Sequence, residues 1–198
     1  TLLPGNPFET GNLSAVNSYI ADYIDDISTD FYYDYEVDSE SNIEYTYFVN
    51  AIMELKSDKD GLVLSRREDT LITEISDQLK DSKELNLKQN VNLDYNHYNN
   101  LAKEFSSSVR NEHGIDITGH LYLEMHLNIV TDNDDFSASI KEEEVIKVEI
   151  PLLSTQVKAA MVDSINKKDS YKEHEAATLI SKSSLFVAIS LSKKRSNP

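Results

Sequence analysis

The stretch IEYTYFVNAIMEL, residues Ile43 to Leu55, decides the reading of this chain. Its odd positions are Ile43, Tyr45, Tyr47, Val49, Ala51, Met53 and Leu55, all apolar or aromatic. Its even positions are Glu44, Thr46, Phe48, Asn50, Ile52 and Glu54, mixed and mostly polar. Side chains of a strand alternate between two faces, whereas a helix repeats every 3.6 residues, so this pattern predicts a long, half-buried β-strand.

The same period recurs outward from it. Phe31, Tyr33, Tyr35 and Val37 alternate and predict a first strand. Ser39 to Asn42 then reads as a polar turn. On the other side, Ser57-Asp58-Lys59-Asp60-Gly61 carries an Asp-Gly hairpin signal, with Leu62 to Arg67 returning antiparallel. Residues 69 to 86 are polar and read as a loop or an irregular edge. Further strands are predicted at Leu87 to Tyr95, Leu121 to Ile129, Ile146 to Leu152, Val157 to Met161 and Leu185 to Leu191, with a charged connection over 163 to 176.

Two segments have helical spacing instead. Leu13, Val16, Tyr19, Ile20, Tyr23, Ile24 and Ile27 predict an amphipathic helix capped near Asn12 or Ser14. Tyr98, Leu101, Ala102, Phe105 and Val109 predict a second, with Asn96 as its cap and Gly114 just past its end. The expected fold is mainly β: an antiparallel β-sandwich with two short helices. The expected organisation is one domain over 1 to 198, with an extended lead-in over 1 to 10 and a basic tail over 192 to 198.

Composition narrows the function. The net charge of −16 argues against sequence-independent nucleic-acid binding and against docking on anionic lipid, both of which need clustered Lys and Arg. The charge is uneven. Residues 1 to 55 hold eleven acids and no Lys or Arg, and no acid follows Glu175. Acids so crowded are expected to repel one another, which would raise their folded pKa values. The absence of Cys excludes disulfides and thiolate chemistry. No run of apolar residues is long enough to span a membrane as a helix, so any membrane link comes from an anchor outside this chain. Thr1 rather than Met stands first, which fits a fragment or a processed chain.

Few residues suggest chemistry. His120, Tyr122, Glu124 and His126 share one face of a predicted strand and include zinc-ligand types, but neighbours on that face stand about 6.6 Å apart and would need help from an adjacent strand. His174-Glu175-Ala176-Ala177-Thr178 lacks the second His of a zinc-protease motif. Asp132, Asp134 and Asp135 are candidate Ca²⁺ ligands, although Ser137 stands where an EF-hand needs Gly. No nucleophile elbow, phosphate loop or dinucleotide fingerprint occurs. Seven of the eleven Tyr fall between Tyr19 and Tyr47, fit either for packing or for contact with a sugar or a partner.

Asn6-Pro7-Phe8, Tyr19-Ile20, Tyr23-Ile24, FYYDY (31 to 35), YTYFVNA (45 to 51), VNLDYNHYNNLAKEF (91 to 105), LYLEMHLNI (121 to 129) and VEIPL (148 to 152) together resemble a family of bacterial membrane-anchored extracytoplasmic proteins of unknown function. The resemblance covers roughly residues 5 to 155. It implies a cell-surface location between two anchor helices, and carries no active site. Leu185 to Leu191 departs from that pattern: it is too short for the second anchor and is followed by Lys193-Lys194-Arg195, so it reads as a last strand or an anchor remnant.

The sequence therefore leads to a non-enzymatic extracytoplasmic domain that acts through protein contacts. The alternatives are a glycan- or Ca²⁺-binding module and, third, a hydrolase with an unrecognised site. No other cofactor is expected.

The alternation makes a direct prediction. Met53→Asp forces a charge into the sheet interior and should unfold the domain, while Thr46→Asp should cost little. Thermal melts compare the two, and equal losses would overturn the register.

Overall fold

The computed structural model describes residues 13–14, 19–133, 139–158, 160–161, 166–174 and 177–193. In chain order these form β1 (Leu13–Ser14), β2 (Tyr19–Ile20), a single 3₁₀ turn (Ala21–Tyr23), β3 (Ile24–Ser57) and β4 (Val63–Asp94). The helix α1 (Tyr95–His113) follows, then β5 (Ile117–Asp132), β6 (Ile140–Leu152), β7 (Gln156–Val157), β8 (Ala160–Met161), β9 (Asn166–His174) and β10 (Ala177–Lys193).

The fold is mainly β and antiparallel. β3 is its spine, 34 residues long. One edge of β3 pairs with β4 along its length, from Asp26↔Asp94 to Lys56↔Val63. The other edge changes partner. Ile24 to Val37 pairs with β10, and Asn42 to Ser57 pairs with β5. β6 continues the sheet beyond β5, and β9 flanks β10. Among the described residues, β2 and β7 form a minimal separate pair and the remaining strands belong to one sheet. The layers expected of a sandwich are thus the two halves of one sheet rather than two sheets. Tyr47 Oη donates to Gln89 Oε1 at 3.0 Å, although Gln89 stands opposite Phe31. Sixteen residues of straight strand would separate Phe31 from Tyr47 by roughly 50 Å, so the sheet folds over and its two inner faces meet.

The alternation drives this packing. Ile27, Thr29, Phe31, Tyr33, Tyr35, Val37, Ile43, Val49, Ala51 and Leu55 of β3 are all buried on one face. They meet Leu121, Leu123, Met125 and Leu127 of β5 and Ile146, Val148 and Ile150 of β6. Each large apolar side chain removed from water contributes on the order of 2 kcal/mol. α1 lies across the inner face with Tyr95, Tyr98, Asn99 and Ala102 inward, and Leu101 and Phe105 half-buried beside them. Asp94 caps it by accepting from His97 N, and Gly114 closes it in the left-handed region at φ 66°. Asn96, expected as the cap, instead donates to Asp25.

Three expectations are corrected. Residues 24 to 27 are strand and 21 to 23 a lone 3₁₀ turn, so the described part of the expected first helix is not helical; Asn12 lies outside the described residues. The cause is a bulge: Leu191 pairs with Ile27 and Lys193 with Ile24, three steps on β3 against two on β10. An extra strand residue turns both Ile24 and Ile27 inward, which imitates helical spacing. Ser39 to Asn42 is no turn but a kink within β3: five steps from Glu36 to Ser41 face two steps on β4. Of the two readings of residues 69 to 86 the irregular edge holds: they are continuous strand, slipped in register against β3 and with no partner strand on the other side among the described residues, while 166 to 174 are strand rather than connection. Leu185 to Leu191 lies within β10, so it is a strand, and Lys193 of the expected tail still pairs.

Gly119 sits in β5 between Leu55 and Leu152. A Cβ there would stand 2.9 Å from Leu152 Cβ and 3.2 Å from Leu55 Cδ2. Gly119→Ala should therefore destabilise by about 1–3 kcal/mol in urea titrations, as overpacking does; an unchanged midpoint would show that the strands part freely.

Candidate functional site

The strongest surface feature is the outer face of the β3–β5–β6 half of the sheet. Direct cross-strand partners share a face, so the pairing fixes its rows. Glu54 stands beside His120, Ile52 beside Tyr122, Asn50 beside Glu124, and Phe48 beside His126. β6 extends these rows with Glu149 beside Tyr122, Lys147 beside Glu124, and Val145 beside His126. β4 adds Arg66 beside Glu54 and Glu68 beside Ile52.

These side chains form one contiguous network. The Phe48 and His126 rings stack with centroids 4.5 Å apart and planes 7° apart. His120 lies parallel to Tyr122 at 6.1 Å, and Lys147 Nζ sits 3.8 Å from the centre of the Tyr122 ring, a cation–π arrangement. Lys147 also pairs with Glu124 at 2.8 Å, whose other oxygen is 3.5 Å from His126. His120 Nδ1 and Glu149 Oε1 are 2.5 Å apart. Arg66 bridges to Glu68 at 2.8 Å, and Glu68 accepts from Asn50 Nδ2 at 2.7 Å.

Ile52, Tyr122 and Asn50 are 4%, 8% and 8% exposed on this outward face, shielded by these long neighbours, while Val145 is 45% exposed. Asn50 Oδ1 is buried and makes no hydrogen bond among the described residues. The result is an aromatic and aliphatic surface laced with ion pairs in a strongly acidic protein. Lys56, the first base of the chain, belongs to it through Glu54 at 2.8 Å. The Lys56 ammonium beside Glu54 holds that carboxyl below the usual range and is itself pushed up by the same bond. This runs against the expectation of raised pKa values through the first 55 residues.

The sequence singled out His120, Tyr122, Glu124 and His126, and the structure brings them onto this surface. Among the described residues, no group of three metal-ligating side chains gathers there or elsewhere. Phe48, Asn50, Ile52, Val145 and Lys147 were missed, because only cross-strand register reveals that they are neighbours.

The candidate Ca²⁺ ligand Asp132 ends β5 and is exposed. It lines an open recess of about 500 Å³ at the kink in β3, with Asp38, Glu40, Asp81, Lys83 and Asn133. Asn133 Nδ2 donates to Glu40 O at 2.7 Å and so ties the end of β5 to the kink. Asp134 and Asp135 lie outside the described residues, as do Glu175 and Ala176 of the near-miss motif. No helix among the described residues is long and apolar enough to cross a membrane.

No family model, curated protein or solved structure matches this chain.

Glu54 gives a test of the network. A carboxyl lowered in the fold adds stability that is present above its unfolded pKa, about 4.3, and is lost as pH falls through the folded value. Glu54→Gln should therefore lower stability at pH 7 by about 0.5 kcal/mol, typical of a part-exposed pair, and should flatten the acid limb of the denaturation midpoint below pH ~4. An acid limb identical to that of the parent chain would show that the pair does not form.

Proposed function

We propose that this chain is a non-enzymatic extracytoplasmic domain that acts by contact with a protein partner, and that the outer face of β3, β5 and β6 is the contact surface. The observation that carries the reading is the row Phe48, His126 and Val145 and the row Ile52 and Tyr122 on one outward face, with the ion-paired row Asn50, Glu124 and Lys147 between them. Solvent-facing sheet surfaces are ordinarily polar, and aromatic and aliphatic groups interleaved with internally paired charge suit a protein contact better than bare solvent. Because the ion pairs are satisfied within the face, a partner need not supply a matching charge for each of them. The extracytoplasmic, membrane-tethered setting rests on the resemblance in residues 5 to 155.

The glycan alternative fits this face less well. Sugars stack on open aromatic faces, whereas one face of Phe48 is taken by His126 and Lys147 stands over Tyr122. The Ca²⁺ alternative rests on Asp132 and its recess at the kink. The hydrolase reading has no nucleophile, base and oxyanion-donor set in its favour among the described residues.

A photo-crosslinking residue placed at Val145 of the chain in its native cells tests the reading. We expect a discrete protein adduct at Val145, none from the exposed outward position Glu36, and loss of the adduct when Phe48→Ser is added. Equal labelling at both positions, or an adduct indifferent to Phe48→Ser, would overturn it.

A further inference from the structure

The second surface is an edge. β4 pairs with β3 on one side, and no strand among the described residues pairs with its other side. From Val63 to Glu84 no residue of β4 is buried, although Leu71, Ile72 and Leu79 are half-buried and Ile75 is 39% exposed. An open edge of this length offers backbone N–H and C=O groups to a further strand.

Soluble proteins blunt such edges with charges and bulges, and β4 has both. Its register slips between Ile75 and Ile72, between Ile72 and Thr70, and again between Ser82 and Leu79, where Asp81 takes φ 49°. The order of the charges, however, does more than repel. Reading RREDTLITEISDQLKD from Arg66 to Asp81, a basic–acidic pair stands at Arg67-Glu68 and another at Lys80-Asp81. Reversed against itself about Glu74, the strand sets Arg67 opposite Asp81 and Glu68 opposite Lys80, twice each by symmetry. Thr70 then meets Gln78. The slips between Ile75 and Thr70 fall at the centre, the arms 65 to 70 and 75 to 79 are regular, and Lys80-Asp81 stands at the third slip. Glu68 points outward beside Ile52, and Lys80, next to the inward Leu79, points to the same side, as opposed partners must. Glu74 meets its own copy at the axis, a repulsion similar in size to the gain from one exposed pair. Arg67 is now paired with Asp69 at 2.8 Å, an exposed contact that exchanges at little cost.

We propose that β4 pairs antiparallel with β4 of a second copy of this chain, in the register centred on Glu74. This joins two sheets edge to edge and leaves the outer face of β3, β5 and β6 open on both copies. It stands independently of the partner-contact reading.

Sedimentation velocity over a concentration series tests it with two charge-swapped chains, R67E/E68K and K80E/D81R. All four positions are on the exposed strand, and matching thermal melts will confirm that the fold is kept. The parent chain should dimerise. Each swapped chain alone would set like charges opposite and should associate about tenfold more weakly or worse. The equimolar mixture restores every opposite-charge pair and should dimerise like the parent. A parent that stays monomeric throughout, swapped chains that dimerise as well as the parent, or a mixture that stays monomeric would each overturn the proposal.

Discussion

One constraint governs this structure: β3 must keep the same face buried over 34 residues while its neighbour on one edge changes from β10 to β5. A straight strand of that length would reach on the order of 110 Å, far beyond any single-domain core. The kink between Glu36 and Ser41 resolves the conflict. It inserts residues on β3 without breaking the pairing with β4, and both halves then turn their odd side chains toward one interior. Tyr35 Oη and Thr131 Oγ1, 2.8 Å apart, tie the first half of β3 to β5 across the kink. Tyr47 and Gln89 tie the second half back to the first. The kinked hairpin of β3 and β4 thus lies on both sides of the core.

The helix completes this arrangement. Tyr95 Oη donates to Pro151 O, Asn99 Oδ1 accepts from Leu153 N, and Tyr98 Oη donates to Asp69. Three consecutive inward positions of α1 therefore bond to the end of β6, to the residue beyond it and to β4. Burial pushes the Tyr95 and Tyr98 hydroxyls up, so both remain protonated donors. The Arg67 guanidinium holds the Asp69 carboxyl below its usual range, with help from Tyr98, and keeps the acceptor charged. A polar contact placed at the border of a core in this way fixes the angle of the helix more than it adds stability.

Much of this was legible because period-two alternation survives wherever one face is buried. Ile43 to Leu55, Leu121 to Ile129 and Ile146 to Leu152 read directly as strands. Where the face changes, the code fails. Ile24 and Ile27 imitate a helix because a bulge spends an extra residue there. Ser39 to Asn42 imitates a turn because a kink and a turn favour the same polar residues. Residues 69 to 86 read as either a loop or an irregular edge, because an edge strand with no fully buried face loses its alternation. The outer-face surface was half legible: period two assembled the β5 members, but Phe48 and His126 lie 78 residues apart in sequence and stack through register alone.

The uneven charge now has a structural meaning. Through the first half of β3 the acids Asp26, Asp34 and Glu36 stand on the exposed side, where solvent screens them. Past the kink the same side of the strand carries Phe48, Asn50, Ile52 and Glu54, and there the neighbouring strands supply Arg66, Lys147 and two His. A lone carboxylate beside Ile52 and Tyr122 would be costly, because half-buried acids need a partner to remain ionised. Glu54, Glu68 and Glu124 each have at least one. The pairing of charge is thus a consequence of the apolar rows between them: the surface sets Lys56, Arg66 and Lys147 beside the half-buried acids that those rows would otherwise strand.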